Sequence, residues 1–398
     1  MVSLGALLDP GFRQPPSCII EVGEDFQNIG DIAPLVATVD IQTSREETWA
    51  GNIVIEDRRK EDGAWTAADS GLFTRWAPIR IAVDFQTHQE EIIRGHITDL
   101  APEYPGNAAE AKLTLQVQDS GAALGREQMR RVWGEQAPIT DLVILTELIG
   151  DLGLSADPLS AQGQSSRALT QEGTPIQFLR ERAKANGFEL MFDQGVVYFG
   201  PRRLDGTAQA PIMIYAGRAT NCRNFSLGDR TEGPDEVRVD AAPPDQGAET
   251  DVQSFTPDET ALGTAPAAEE GAGLGTPSVW RLGREGDETP EEQAARAQAL
   301  VNEHAFKLRG TGELDGALYG HVLKPGQLVS IDGAGTRYGG LYYVDKVAHA
   351  MNTEGYTQSF EVMRNATGDS TAAAPPLSAA TSAIAGLFAT TGFAGSLG

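Results

Sequence analysis

The sequence predicts a mainly β protein in which two antiparallel β-barrels flank a small α/β module. Three observations predict this fold class. Apolar and polar side chains alternate with a period of two in both outer regions, a capped helix followed by a hairpin lies between them, and one β pattern recurs some 247 residues later. A period of two is typical of strands with one buried face, whereas capping signals indicate a helix.

Residues 1–125 contain the first predicted barrel. Stretches at 36–41, 52–56 and 79–85 alternate as half-buried strands do. The turn-forming run Tyr104-Pro105-Gly106-Asn107 separates later strands, because Pro and Gly adopt backbone angles that end regular pairing. The region therefore predicts an antiparallel barrel.

Residues 126–205 predict the α/β module. Thr174 can cap a helix, Gln177 completes a capping box three residues later, and Gly187 suits the left-handed residue at the helix end. The run FELMFDQGVVYFG that follows reads as a hairpin with a turn at 193–195. A helix and a hairpin thus separate the two β-rich regions.

Residues 206–365 predict the second barrel, interrupted by an acidic excursion rich in Pro, Gly and Ala at 241–285. Residues 241–280 hold seven acidic residues and neither Lys nor Arg, a composition that buries little apolar surface. A helix is expected at 290–308 from its capping signals and apolar stripe. The tail at 366–398 consists mostly of Ala, Ser, Thr and Gly, and by itself it should be disordered.

The repeat at an offset of 247 residues suggests that one barrel is a duplicate of the other. Pro78 then falls on Pro325, and the phase of strand, gap and strand is kept across two hairpins. Any two antiparallel hairpins can be aligned to some degree, and this alternative stays open. The residues expected to form equivalent core positions are Ile97, Leu100, Leu113 and Leu115 in the first copy and Val344, Val347, Phe360 and Val362 in the second.

Charge and composition exclude several classes of function. With 398 residues the chain is long enough for two or three domains, and its net charge of −25 argues against stable nucleic-acid binding. No run has the length and apolarity of a membrane span, and the first residues lack the pattern of a secretory signal, so we expect cytoplasmic synthesis. Cys18 and Cys222 are expected to be free buried thiols, unless folding brings them together as a disulfide.

No motif in the sequence points to catalysis. The five histidines show no metal-ligand spacing, and the glycine-rich DGAGTRYGG run lies between strands, where a turn is expected rather than a nucleotide site. Asp332 and Asp345 are expected to be ordinary surface charges. We therefore expect no enzyme activity and no catalytic, cofactor-binding or metal-binding residues.

Two blocks resemble the late control D family, the tail-hub proteins of phages and of contractile injection systems. They are TPIQFLRERAKANGFELMFDQGVVYFG and LKPGQLVSIDGAGTRYGGLYYVDKVAHAMNTEGYTQSFEVMR. The resemblance covers most of residues 20–365. It implies two tail-tube-like barrels per chain and a homotrimer with pseudo-sixfold symmetry. This baseplate hub would join a hexameric inner tube to a separate trimeric spike, with further baseplate proteins at its rim, in a virion tail or injection particle.

The remaining expectations concern the C-terminal tail and two alternative functions of the chain. A set of apolar residues among small ones could pack against the spike or a neighbouring protomer. The alternatives are a β-rich cell-wall hydrolase at a tail tip, or a secreted adhesin or carbohydrate-binding protein. The apolar residues of the tail are Ile384, Leu387, Phe388, Phe393 and Leu397.

Overall fold

The protein consists of two β units joined edge to edge, with an α/β module between them in the chain. These features come from a computed structural model. It describes residues 15–166, 168–240, 252–270, 276–286 and 288–369. Its secondary structure is mainly β, in several largely antiparallel sheets.

The first β unit spans residues 17–119 and is built from seven strands. Alternation places one face of each strand in a common core, where Ile53, Ile55 and Leu115 are fully buried. Burial of such side chains contributes roughly 1.5–3 kcal/mol each. The strands are β1 Ser17–Val22, β2 Gln27–Asn28, β3 Val36–Ser44, β4 Ala50–Glu56, β5 Pro78–Asp84, β6 Gln89–Glu103 and β7 Lys112–Asp119.

The α/β module follows the expected pattern of helix and hairpin. Thr174 and Gln177 form the predicted capping box, and the helix ends at Gly187 in the left-handed conformation. Gln194 and Gly195, both with positive φ, form the tight turn of the hairpin. The elements are β8 Met129–Trp133, β9 Ile139–Thr140, α1 Asp141–Gly150, β10 Ser155–Ala156, β11 Ser165–Ser166, β12 Leu169–Gly173, α2 Pro175–Asn186, β13 Glu189–Asp193 and β14 Val196–Gly200.

The second β unit spans residues 209–364 and has its own core, in which Tyr342 and Val344 are fully buried. The glycine-rich run after its strand at 328–332 forms one helical turn rather than a simple turn. The elements from here to the end of the described chain are β15 Gln209–Met213, β16 Cys222–Asp229, β17 Glu236–Asp240, β18 Val252–Phe255, β19 Ala265–Pro266, α3 Ala267–Glu270, β20 Val279–Leu282, α4 Pro290–Ala305, β21 Leu308–Asp315, α5 Gly316–Tyr319, β22 Leu328–Asp332, α6 Gly335–Tyr338, β23 Gly340–Asn352, β24 Gly355–Arg364 and β25 Ala366–Thr367.

The acidic excursion contains more structure than its composition predicts. Strands β17, β18 and β20 form a small sheet, and Val237 and Val239 pack against Ala297 and Val301 of α4. The helix supplies the apolar surface that the strands lack, which offsets their ordering entropy. The helix also ends at Ala305 rather than at residue 308, because Leu308 pairs with Arg364 as the first residue of β21.

Five strands have the same order in both β units. The order is β3-β4-β7-β6-β5 in the first unit and β16-β21-β24-β23-β22 in the second. Bulges coincide as well, since Thr98 interrupts the pairing of β6 with β7 and Asp345 interrupts that of β23 with β24, 247 residues later. A second pair of bulges lies at Ala37 in β3 and Arg223 in β16. The two hairpins compared in the sequence therefore share one topology.

The two β units form one open sheet instead of two separate closed barrels. Residues 340–343 of β23 pair with β22, and residues 346–351 of the same strand pair with β3. Because β23 is long enough to serve both partners, the units merge into a sheet of thirteen strands. Within the described ranges no sheet closes on itself.

Candidate functional site

The joint between β3 and β23 holds the two β units together. Val347 pairs with Thr43, and His349 pairs with Ile41, in an antiparallel register. The His349 side chain is buried, with its Nδ1 2.9 Å from the hydroxyl of Tyr356. Burial, together with the positive charge of Lys324, lowers the pKa of His349 to about 3, so the imidazole is neutral. The joint is thus a continuous antiparallel pairing of residues 39–44 with 346–351, with Ile41, Val347 and His349 buried on one face.

A buried cluster of charges lies beside this joint and ties four elements together. Arg45, directly after β3, is only 3% exposed. Its guanidinium lies 2.7 Å from Asp345 in β23, 3.1 Å from Glu303 in α4 and 3.6 Å from Glu189 in β13. Asp345 is the bulge residue of β23, and a bulge re-aims its side chain. The sequence predicted a surface charge for Asp345, whereas this carboxylate is an internal ion-pair partner.

The pKa values of the two glutamates in the cluster shift in opposite directions. Burial alone would raise the pKa of Glu303, but the guanidinium groups of Arg45, Arg202 and Arg309 outweigh it and lower that pKa to about 2. Burial raises the pKa of Glu189, against the opposing effect of Arg45. The Tyr343 hydroxyl donates to Glu189 at 2.6 Å. Guanidinium groups thus contact all three carboxylates beside the joint, and the Tyr343 hydroxyl adds a hydrogen bond to Glu189.

Two further strand edges resemble the two edges of the joint. Within the described chain, β16 pairs along its length with β21 only. Residues 99–103 of β6 pair with β7 only, because β5 pairs with β6 no further than His96. By the shared topology β16 corresponds to β3, and β6 corresponds to β23. The edges that meet inside the chain therefore have unpaired equivalents on its outside.

Matching rows across the sheet define this equivalence residue by residue. Each row is a set of four residues that pair across four neighbouring strands. In the two bulged strands of each unit, the residue of the row lies on the C-terminal side of the bulge. The correspondence places Ser226 at the position of Asp40, and Asp99 at that of Lys346. The rows are Asp40–Asn52–Gln116–Asp99 in the first β unit and Ser226–Thr311–Glu361–Lys346 in the second.

The residues predicted as equivalent core positions lie in two separate cores. In pairing terms, Leu100 faces Leu115 in the first unit, and Val347 faces Phe360 in the second. Leu115 thus corresponds to Phe360, two residues away from the partner assigned by a constant offset. Leu100 is partly buried against the first core, and the others are buried. Ile97, Leu113 and Leu115 belong to the first core, and Val344, Val347, Phe360 and Val362 belong to the second.

The remaining sequence predictions concern the two cysteines, membrane spans and the C-terminal tail. Cys18 and Cys222 are free, and burial raises the pKa of their thiols to about 12 and about 11. None of the described helices is both long and apolar enough to cross a membrane. The suggested contact residues of the tail, Ile384, Leu387, Phe388, Phe393 and Leu397, lie outside the described residues.

Sequence reasoning missed the charge cluster and the free edges. Arg45 and Asp345 are 300 residues apart, and Arg45 and Glu303 are 258 apart. No local pattern reports such pairings. The only usable signal was the repeat itself, since a duplicated unit carries duplicated edges.

Comparison with family models identifies the family of this chain. Residues 26–353 match the family model of the Alg8 N-terminal domain. The chain belongs to that family. A search of curated proteins found no match to the sequence.

Solved structures share the fold at low sequence identity. A 43 kDa tail protein of prophage MuSo2 from Shewanella oneidensis has a TM-score of 0.63 at 15% identity, covering 88% of this chain and 98% of its own. A tail protein from Neisseria meningitidis MC58 has a TM-score of 0.59 at 11% identity, covering 88% and 97%. A type VI secretion component from E. coli has a TM-score of 0.51 at 11% identity, covering 83% and 73%, and is itself described as structurally similar to phage T4 tail proteins gp27 and gp5. The fold is therefore that of tail and secretion-system proteins.

Proposed function

We propose that this chain is the structural hub of a phage tail or contractile injection system and assembles as a homotrimer with pseudo-sixfold symmetry. The proposal rests on one observation. The edges of β3 and β23 form the joint inside the chain, whereas the equivalent edges, those of β16 and of residues 99–103 of β6, have no second partner strand within the described chain. If β16 of one copy pairs with β6 of the next, every contact around a ring repeats the internal joint. Three chains then present six β units.

The internal joint specifies the register of this pairing. Ala350 faces Asp40 inside the chain, and their equivalents are Glu103 and Ser226. Glu103 of one copy therefore faces Ser226 of the next. In the same register Asp99 faces Arg230, which brings opposite charges together, a favourable cross-strand pair worth roughly 0.2–1 kcal/mol. Both Glu103 and Ser226 are exposed in the single chain.

The symmetry of the proposed ring determines which proteins the hub would bind. A pseudo-sixfold face matches a hexameric tail-tube protein, and threefold symmetry matches a trimeric spike protein, with baseplate proteins around the rim. In this proposal each β unit curves around its own core as a tail-tube-like barrel, and the chain is a member of the late control D family. Synthesis is cytoplasmic, followed by assembly into a virion tail or injection particle. The charge of −25 opposes stable nucleic-acid binding.

The proposed role is structural rather than enzymatic. The carboxylates at the joint are held by arginines, which suits a rigid scaffold. Asp119, whose pKa burial raises to about 7, accepts hydrogen bonds from the backbone of Trp49 and Gly121 and is 2% exposed. A buried carboxyl of this kind does not reach a substrate. We expect no cell-wall hydrolysis by the purified chain.

A disulfide designed across the proposed interface tests the assembly. The variant Glu103→Cys/Ser226→Cys should form a covalently closed trimer under mild oxidation, because paired strands bring such positions within disulfide reach. Each single variant controls for the native cysteines, and Glu103→Cys/Gly228→Cys places the thiols two residues out of register. Native mass measurement of the unmodified chain should show three copies. A chain that stays monomeric even with its spike co-expressed, or cross-linking independent of register, contradicts the proposal.

A further inference from the structure

We propose that His88, Glu90 and His321 form a binding site for a divalent transition-metal ion of the zinc type, which links the two β units within one chain. His88 directly precedes β6 and Glu90 is the second residue of that strand in the first unit, whereas His321 precedes β22 in the second. One ligand atom from each side chain lies within 4.8 Å of the others. This inference is independent of the proposed assembly because all three ligands belong to one chain.

The distances suit tetrahedral coordination after a small adjustment. His88 Nε2 lies 3.0 Å from Glu90 Oε1, and His321 Nδ1 lies 2.7 Å from the same oxygen. Bonds of about 2.0–2.1 Å from zinc to nitrogen and oxygen place tetrahedral ligand atoms roughly 3.3 Å apart. Each imidazole nitrogen therefore needs to move away from Glu90 Oε1 by about 0.3–0.6 Å, and one ligand nitrogen of each histidine already lies within 4.8 Å of the other. Two histidines and one glutamate form a known zinc donor set, with the fourth position supplied by water.

Surrounding groups already orient two of the ligands. The second carboxylate oxygen of Glu90 accepts a hydrogen bond from the backbone N–H of Val322 at 2.6 Å. The other ring nitrogen of His88 lies 2.9 Å from the Thr87 hydroxyl. Partners of this kind fix ring orientation and carboxylate direction at metal sites. The carboxylate thus has one oxygen engaged by the backbone and one directed at both imidazoles.

The ring positions are also fixed by packing. His88 stacks on Phe85 with ring centroids 5.2 Å apart, and His321 meets the edge of Tyr319 at 6.0 Å. The backbone around His321 is anchored by the fully buried Gln358, whose amide donates to the His321 carbonyl at 2.8 Å and accepts from Leu323 at 2.7 Å. These contacts reduce the ordering cost of binding an ion.

The site is accessible to an ion in solution. The side chains of Glu90, His88 and His321 are 26%, 37% and 47% exposed, respectively. No ligand spacing appears in the sequence, because Glu90 and His321 are 231 residues apart. A bound ion would therefore crosslink distant segments at the boundary of the two β units and stabilise the folded chain by mass action.

Metal titration of the full-length chain tests the site. After treatment with a chelator, isothermal titration with Zn²⁺ should show one saturable equivalent per chain, and Co²⁺ should give the visible absorption of a four-coordinate site. Zn²⁺ should also raise the midpoint of thermal unfolding. Glu90→Gln keeps an acceptor for the Val322 N–H but loses the charged ligand, so we expect affinity to fall at least about tenfold in a folded protein.

Matched variants separate this site from general binding to an acidic surface. His321→Gln should lose the same equivalent, whereas His304→Gln, a histidine beside Trp280 and away from the cluster, should keep it. Circular dichroism of each metal-free variant verifies its fold. Absence of a saturable equivalent in the unmodified chain overturns the proposal. Unchanged affinity in the double variant His88→Gln/His321→Gln overturns it too, since binding would then reside elsewhere.

Discussion

Trp76 and Gly326 hold the same left-handed backbone conformation, with φ of 68° and 69°, at equivalent places in the two β units. Trp76 donates its backbone N–H to the carbonyl of Ile97, and Gly326 donates its N–H to the carbonyl of Val344. Val344 lies 247 residues after Ile97, the offset of the repeat. Trp76 lies just before β5, which pairs with β6, and Gly326 lies just before β22, which pairs with β23. The two β units therefore share a turn with a left-handed residue in addition to their strand order and bulges, and only in the first unit does a residue with a side chain occupy it.

Replacing Gly326 should destabilise the folded chain. In Gly326→Ala the new Cβ would lie 2.5 Å from the sulfur and terminal methyl of Met191, in addition to the cost of a positive φ. We expect a loss of about 1–3 kcal/mol in the free energy of unfolding, measured by urea denaturation. Gly71→Ala, with φ of 76° and open space around the new Cβ, isolates the conformational cost. Equal losses in both variants would show that Met191 yields without cost.

Loss of Arg45 should be far more damaging than loss of an exposed cation. Arg45→Met leaves the carboxylates of Glu303 and Asp345 short of a buried partner, and we expect a loss of about 3–5 kcal/mol in the free energy of unfolding. Lys346→Met is the matched control, because its ion pair with Glu47 is exposed on both sides. Its expected cost is at most about 1 kcal/mol. Denaturant titration of both variants measures the difference, and similar losses would contradict a structural role for the cluster.

The joint should weaken in mild acid because of His349. Its folded pKa is about 3, whereas an unfolded histidine titrates near 6.5, so the unfolded chain takes up the proton first as the pH falls. The stabilisation is therefore present above about pH 6.5 and is lost progressively towards pH 3. The neutral ring faces Thr43 of β3 and Tyr356 of β24, with Lys324 as the charge that disfavours protonation.

A variant isolates this contribution. His349→Gln removes the titrating group, so its free energy of unfolding should fall less than that of the unmodified chain between pH 6.5 and 5, by up to roughly 2 kcal/mol. Asp119, with a pKa raised to about 7, opposes the trend by favouring the folded state as the pH falls, but it acts equally in both proteins. Urea denaturation across this window measures the difference. Parallel pH profiles would contradict the role of His349.

Local features of the fold were predictable from the sequence. The capping box of Thr174 and Gln177 and the exit at Gly187 depend on residues a few positions apart, and they form as expected. The predicted end of α4 at residue 308 was wrong, because Leu308 pairs with Arg364 of a distant strand and therefore begins β21. A constant offset also misaligned Leu115, because loops of different length precede the equivalent strands.

The sequence by itself determined the capped helices, the hairpin turn and most strands of the two β units, since alternation, capping and turn chemistry act over a few residues, but it did not predict strands β18 and β20 of the acidic excursion. It also contained the repeat that duplicates the β units. Only the tertiary structure decided that β23 pairs with β3, that Arg45 meets Asp345, and that His321 meets Glu90. Those partners are 231 to 312 residues apart, and the backbone groups of a strand edge are chemically alike. Their choice depends on how whole sheets pack, which short-range patterns do not encode.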